Sequence, residues 1–267
     1  MEIRNKGIIA PVLVLFAATT SLPAMAGAQV GAKDTCSGQS EVLIGQDNDN
    51  VNNPLIQPIE PPPNQSLNNA DILQGAGGCD VLIGLQGNDV LDGGIGDDIM
   101  IGGTEQFDPE GFGNRDVMLG GDGNDVNIWA PGDGSDAFLG GAGNRDAMVF
   151  GLIDRDANNV PVLSPAYGLF SETGVPTANV TGSPGFCTLE DVRATDLGFD
   201  YLVRFFVRRT GNLAVTIRLK DVEQVFCTSE AGGAITFADL RKPAARFVEI
   251  DLGDVKRKNA TVENIIR

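Results

Sequence analysis

The chain reads as an all-β protein, in which a coil of short strands laid down by a nine-residue repeat is followed by a second, β-rich unit. Three observations point there. From Asp71 to about Gly151 a phrase of glycine and aspartate returns at regular intervals. From Tyr201 to Leu219 apolar and polar residues alternate on either side of a Thr210-Gly211-Asn212 turn. Between the two, Leu152 to Gly185 is rich in Pro, Ser, Gly and Asn, a composition of loops joining short strands.

The repeat is taken first, because a fixed period decides architecture before local propensity does. The stretches GAGGCDVLI (Gly75 to Ile83), GLQGNDVLD (Gly84 to Asp92), GGIGDDIMI (Gly93 to Ile101) and GGDGNDVNI (Gly120 to Ile128) fit G-G-x-G-x-D-x-U-x, with U a large apolar residue. Aspartates stand nine residues apart at Asp71, Asp80, Asp89 and Asp98, then at Asp116 and Asp125, and at looser spacing at Asp136 and Asp146.

This pattern resembles the RTX, or hemolysin-type, nonapeptide family of calcium-binding proteins. The resemblance covers roughly a third of the chain. It implies a right-handed parallel β-roll, in which six residues of each unit turn, three form a strand, and two units complete one revolution. A C-terminal β-rich domain would then cap the roll.

The chemistry fits a hard cation. Glycine admits backbone conformations closed to residues with a Cβ, so carbonyl oxygens can converge in a tight turn, and each aspartate adds an anionic oxygen. Ca²⁺ takes six to eight oxygens, which stacked turns supply only by sharing ions between revolutions. The candidate ligands are the carboxylates of Asp71, Asp80, Asp89, Asp98, Asp116, Asp125, Asp136 and Asp146. To these are added the turn residues Gly75, Gly77, Gly84, Asn88, Gly93, Gly96, Asp97, Gly120, Gly123 and Asn124. Two columns are expected, Asp71 with Asp89, Asp125 and Asp146, and Asp80 with Asp98, Asp116 and Asp136. Leu82, Leu91, Met100, Met118, Phe138 and Met148 should point inward between them, forming a thin core.

The repeat is worn in places. TEQFDPEGFG (Thr104 to Gly113) replaces one turn and leaves Asp108 only near an aspartate position. Two turns read GNRD, placing Arg115 and Arg145 either as internal cations or as residues pointing into water. Asn127 falls at an inward position and Pro131 takes the place of a glycine.

Residues 1–28 read as a secretory signal peptide. Arg4 and Lys6 precede an apolar run and a small-x-small cleavage pattern around Ala24 to Ala28. The expected location is extracellular or periplasmic, by the Sec route rather than the C-terminal signal usual among RTX proteins, and no other segment is apolar enough to span a membrane. From Gln29 to Leu189 there are 23 acids and 4 bases, whereas Glu190 to Arg267 has 12 acids and 13 bases. Acid concentrated in the repeat favours a bound cation and argues against nucleic acid.

Residues 29–70 hold a worn first rung, with SGQSEVLIG laid on AGGCDVLIG so that Glu41 takes the aspartate position, and then an Asn- and Pro-rich linker containing Asp47 and Asp49. Residues 71–151 form the roll and 152–267 the β-rich C-terminal domain. Four cysteines allow three disulfide pairings. The reading favours Cys36 with Cys79, tying the first rung to the roll, and Cys187 with Cys227 in the C-terminal domain.

The chain has no histidine, which excludes Ser-His-Asp, Cys-His and HExxH chemistry. It also lacks a G-x-S-x-G elbow and a phosphate loop. The expected function is therefore non-enzymatic: a calcium-dependent structural or adhesive module at a cell surface or matrix. The alternatives are an accessory module binding acidic polysaccharide through Arg204, Arg208, Arg218 and Lys220, or a small carboxylate-based glycan enzyme.

Overall fold

The computed structural model describes residues 36, 38–45, 71–103 and 115–267. The expected signal peptide, most of the linker with Asp47 and Asp49, and Asp108 lie outside these residues.

Nine short strands open the fold: β1 (Val42–Ile44), β2 (Ile72–Gln74), β3 (Val81–Ile83), β4 (Val90–Ile95), β5 (Ile99–Ile101), β6 (Val117–Asp122), β7 (Val126–Trp129), β8 (Ala137–Ala142) and β9 (Ala147–Phe150). Odd-numbered strands pair with one another in the order β1-β3-β5-β7-β9, and even-numbered ones in the order β2-β4-β6-β8. All these pairings are parallel. The chain therefore passes from one sheet to the other at every turn, which is what a unit of one strand and one turn dictates. Glu41 sits opposite Asp80, with Val42 paired to Val81, so the worn first rung belongs to the stack.

Side chains alternate across a strand, and the apolar position of each unit points between the sheets. Leu43, Leu73, Leu82, Leu91, Met100, Met118, Phe138 and Met148 are buried there, as the repeat predicts. Asn127 is buried in the same row, between Met100 and Met148 in register, and neither its Oδ1 nor its Nδ2 has a hydrogen-bond partner among the described residues. An unsatisfied buried polar group of this kind costs about 1–3 kcal/mol.

The rest of the chain is built onto this coil. Four two-residue strands form two antiparallel pairs: β10 (Leu152–Ile153) with β13 (Ala178–Asn179), and β11 (Leu163–Ser164) with β12 (Val175–Pro176). Strands β14 (Gly185–Asp191), β15 (Tyr201–Val207) and β16 (Leu213–Lys220) form an antiparallel meander containing the expected hairpin. Its last strand pairs in parallel with β8. Strand β17 (Gln224–Thr228) pairs in parallel with β9 and is followed by β18 (Ile235–Asp239) and β19 (Val248–Ile250). Both sheets thus run on through the compositional boundary at 151, so β8 and β9 are each covered by a further strand rather than left as an open edge.

The core is thicker than the repeat implies. The outward residues of β3, β5, β7 and β9, among them Val81, Ile83, Ile99, Ile101, Val126 and Val149, are buried beneath a second apolar layer that includes Phe170, Val175, Val180, Val262 and Ile265, whereas Val42 and Ile44 of β1 are exposed. The corresponding residues of the even-numbered strands, such as Val90 and Val117, are only half-buried. Part of the covering layer comes from the basic C-terminal segment, which folds as two short helices, α1 (Leu252–Lys258) and α2 (Ala260–Glu263). Asp251 and Asn259 cap them by accepting backbone N–H bonds.

Both favoured disulfides are formed. Cys36–Cys79 spans 5.2 Å between Cα atoms and Cys187–Cys227 spans 6.1 Å. The second joins β14 to β17, and so links the two sheets to each other.

Candidate metal centre

The aspartates form two unbroken ladders. In each, a carboxylate Oδ1 accepts the backbone N–H of the acidic residue one revolution earlier. Asp71, Asp89 and Asp116 donate in this way to Asp89, Asp116 and Asp136 over 2.7, 2.8 and 3.0 Å. In the other ladder Glu41, Asp80, Asp98 and Asp125 donate to Asp80, Asp98, Asp125 and Asp146 over 2.6, 2.7, 2.9 and 2.8 Å.

These memberships correct the expected columns. Asp116 and Asp136 stand with Asp71 and Asp89, while Asp125 and Asp146 stand with Asp80 and Asp98. The physical reason is that inter-coil bonding counts turns, whereas the sequence counts residues. β5 and β6, consecutive among the described strands, lie in opposite sheets although a unit's worth of extra residues separates them in sequence, so every later aspartate changes column.

The second carboxylate oxygen is the chemically informative one. Oδ2 of Asp80, Asp89, Asp98, Asp125 and Asp146 is buried with no hydrogen-bond partner among the described residues. Each points at a glycine of its own turn. A Cβ placed on Gly75, Gly84, Gly93 or Gly120 would fall 2.6, 2.4, 2.4 or 2.3 Å from the Oδ2 of Asp80, Asp89, Asp98 or Asp125. The same point lies 2.5, 2.4, 2.8 or 2.3 Å from the carbonyl oxygen of Gly93, Gly102, Gly120 or Gly140 in the next coil. Each such glycine therefore makes room for a carboxylate oxygen and a carbonyl oxygen to face the same spot. Gly96 and Gly123 serve the stacking itself, since both have positive φ and a Cβ on Gly96 would lie 1.5 Å from the Gly78 carbonyl oxygen.

Other candidate residues are used differently. Oδ1 of Asn88 accepts the Arg115 N–H over 2.8 Å, and Oδ1 of Asp97 accepts the Asn124 N–H over 2.8 Å. These side chains brace neighbouring turns beside the ladders. The Gly77 N–H is bonded to the Gly75 carbonyl. Arg115 is exposed, in keeping with a residue pointing into water, and Arg145 is half-buried.

Burial without compensation perturbs the carboxyls strongly. Desolvation pushes Asp80 up to about 6, Asp136 and Asp146 to about 7, Asp89 and Asp98 to about 8 and Asp125 to about 9, from 3.8. The ladder N–H bonds oppose this shift but do not cancel it. Among the described residues no three His, Cys, Asp or Glu side chains converge as a metal cage. The donor set is instead one carboxylate per turn beside backbone carbonyls. It suits a hard, oxygen-seeking cation and not zinc, since the chain has no histidine and all four cysteines are in disulfides.

The basic stripe of the hairpin is internally occupied. Arg204 pairs with Glu190, and Lys220 lies 3.1 Å from Asp221. Arg218 donates to the Ser135 carbonyl, and Arg208 to those of Ser183, Gly185, Ser229 and Glu230. These bonds favour a bracing role over capture of an acidic polysaccharide.

No protein-family model, curated protein or solved structure matches the chain. What the protein does must be read from its own residues. Three glycines outside the expected set obey the same rule, because a Cβ on Gly45, Gly102 or Gly140 would fall 3.0, 2.1 or 2.6 Å from the Oδ2 of Asp71, Asp116 or Asp146. The regular units carry the signal that finds them: the glycine lies five residues before its aspartate, an interval that insertions later stretch. Replacing Gly84 with alanine should force Asp89 Oδ2 and the Gly102 carbonyl apart, at about 1–3 kcal/mol for overpacking. The expected result is a Tm lower by several degrees, read by thermal denaturation of Gly84→Ala beside the wild type; an unchanged Tm would contradict the packing argument.

Proposed function

We propose that the chain is an exported calcium-binding protein of the RTX type, a right-handed parallel β-roll that serves as a non-catalytic structural or adhesive module. One observation carries this reading: in turn after turn, a buried carboxylate oxygen without a hydrogen-bond partner faces a neighbouring coil's carbonyl across a glycine. The residues with these donors are Asp80, Asp89, Asp98, Asp125 and Asp146, and the same glycine geometry extends the set to Asp71 and Asp116. Bound calcium would supply the positive charge that offsets their burial. The chain's part is to fix the coil spacing through the Oδ1 ladders, to bring the carbonyls close through glycine, and to exclude water beneath the second apolar layer.

Two disulfides are compatible with an extracellular or periplasmic location, and among the described residues no helix is long and apolar enough to cross a membrane. Calorimetric titration of the metal-free chain tests the proposal. Several calcium ions per chain are expected, with magnesium binding much more weakly because its tight octahedral shell suits these turns poorly. No heat and no binding at millimolar calcium would overturn it.

A further inference from the structure

We infer that the ladder ends in a cation site that the repeat does not own, shared between the turn Gly140 to Asp146 and the segment Asp221 to Glu223 of the C-terminal unit. This rests on the calcium reading above and names a partner turn that the repeat pattern does not contain.

The segment imitates a repeat turn atom by atom. The Asp146 N–H donates to Glu223 Oε2 over 2.9 Å, as the Asp125 N–H does to Asp146 Oδ1 over 2.8 Å. The Gln224 N–H then bonds the Asp146 carbonyl over 3.0 Å, as the Ala147 N–H bonds that of Asp125 over 2.8 Å. Glu223 thus occupies the next rung of the Asp80 ladder, although 77 positions separate it from Asp146. The carbonyl side is imitated as well. A Cβ on Gly140 would lie 2.6 Å from Asp146 Oδ2 and 2.2 Å from the Asp221 carbonyl oxygen, matching Gly120, where the Gly140 carbonyl plays that part. Asp221 reaches its position with φ +51°, in the left-handed region. Its side chain pairs with Lys220, so the backbone oxygen is what the segment offers.

Independently, Asp146 Oδ2 is fully buried, has no hydrogen-bond partner among the described residues, and aims at this spot. The two ladders end differently. Opposite Asp136 stands the apolar Ile217, and the Arg218 guanidinium lies close enough to favour the Asp136 carboxylate. One column is therefore closed by a fixed cation. The other ends on a carboxylate, Glu223, whose neighbouring cation, Arg241, is engaged by the Asp239 carboxylate and the Asn144 carbonyl, so the buried Asp146 Oδ2 is left to a hard divalent cation with carbonyl and carboxylate donors. Because its two halves lie on either side of position 151, occupancy couples docking of β17 to folding of the roll.

The test counts calcium by equilibrium dialysis against wild type, Glu223→Gln, Asp221→Gly and Asp221→Val, with Trp129 fluorescence as the second readout. Trp129 is the chain's single tryptophan and lies 4.7 Å from Phe205 of the C-terminal unit, so it senses docking. Asp221→Gly keeps the carbonyl and the backbone conformation and should bind the wild-type number of ions. Asp221→Val, whose branched side chain disfavours positive φ, and Glu223→Gln should each bind one ion fewer. The calcium midpoint of the Trp129 signal should rise about tenfold in both, the equivalent of about 1.4 kcal/mol. If Asp221→Val does not fold, Glu223→Gln decides alone, since its amide oxygen can still accept the Asp146 N–H. Wild-type stoichiometry with an unmoved midpoint in Glu223→Gln overturns the shared site while leaving the repeat sites standing. A wild type that binds no calcium overturns the reading beneath it.

Discussion

Stripping calcium with EGTA at about pH 8 should collapse most of the far-UV β signal, and restoring millimolar calcium should bring it back. Without a cation, two columns of buried carboxylates lie in one another's fields, and Oδ2 of Asp80, Asp89, Asp98, Asp125 and Asp146 has no hydrogen-bond partner among the described residues. Mutual repulsion and desolvation then oppose the stack. A ligand that binds only the folded state stabilises it by about 2.7 kcal/mol per site at a hundredfold excess over Kd. Four such sites contribute on the order of 10 kcal/mol, comparable with the whole stability of an ordinary domain, about 5–15 kcal/mol. The disulfides and the apolar layer beneath the helices will hold a remnant, so the loss should be largest in strands β1 to β9. A circular dichroism spectrum identical in EGTA and in calcium would show that the ladders need no ion.

In the metal-free chain, the urea midpoint should fall as pH rises from about 5 to about 9, whereas in saturating calcium it should change little over the same range. In the metal-free fold Asp80, Asp136, Asp146, Asp89, Asp98 and Asp125 titrate between about 6 and about 9, against 3.8 for an ordinary aspartate. Between those limits the folded chain holds more protons than the unfolded one, so raising the pH favours unfolding. The stabilising contribution is complete below 3.8 and is lost as pH climbs through the folded values. Each pH unit costs about 1.4 kcal/mol per carboxyl group affected. Calcium flattens the slope because it displaces the same protons from the folded carboxylates, while the unfolded ones are already ionised above about pH 5. A metal-free midpoint that climbs steadily from pH 5 to 9 would mean the carboxyls remain ionised in the fold.

Much of the site is legible in the sequence because its determinants are local. The glycine-aspartate period assigns each strand its inward residue, and Leu82, Leu91, Met100, Met118, Phe138 and Met148 are all buried where that period puts them. Glu41 could be placed on the first rung by simple alignment, and its N–H bonds Asp80 accordingly. The outer layer was not legible. Val81, Ile83, Ile99 and Ile101 give no indication of whether water or protein covers them, and their cover comes from residues as remote as Val262 and Ile265. The terminal helices, capped by Asp251 and Asn259, were not foreseen within a unit read as β-rich.

By itself the sequence determined the unit of construction: one strand, one glycine turn and one carboxylate, repeated, with the inward residues following from it. Only the tertiary structure decided which aspartates share a column and what stands at its end. Neighbouring coils bond by turn number and not by residue number, so one long insertion reassigned every later aspartate. The last rung, Glu223, lies outside the period altogether, and only folding brings it beneath Asp146.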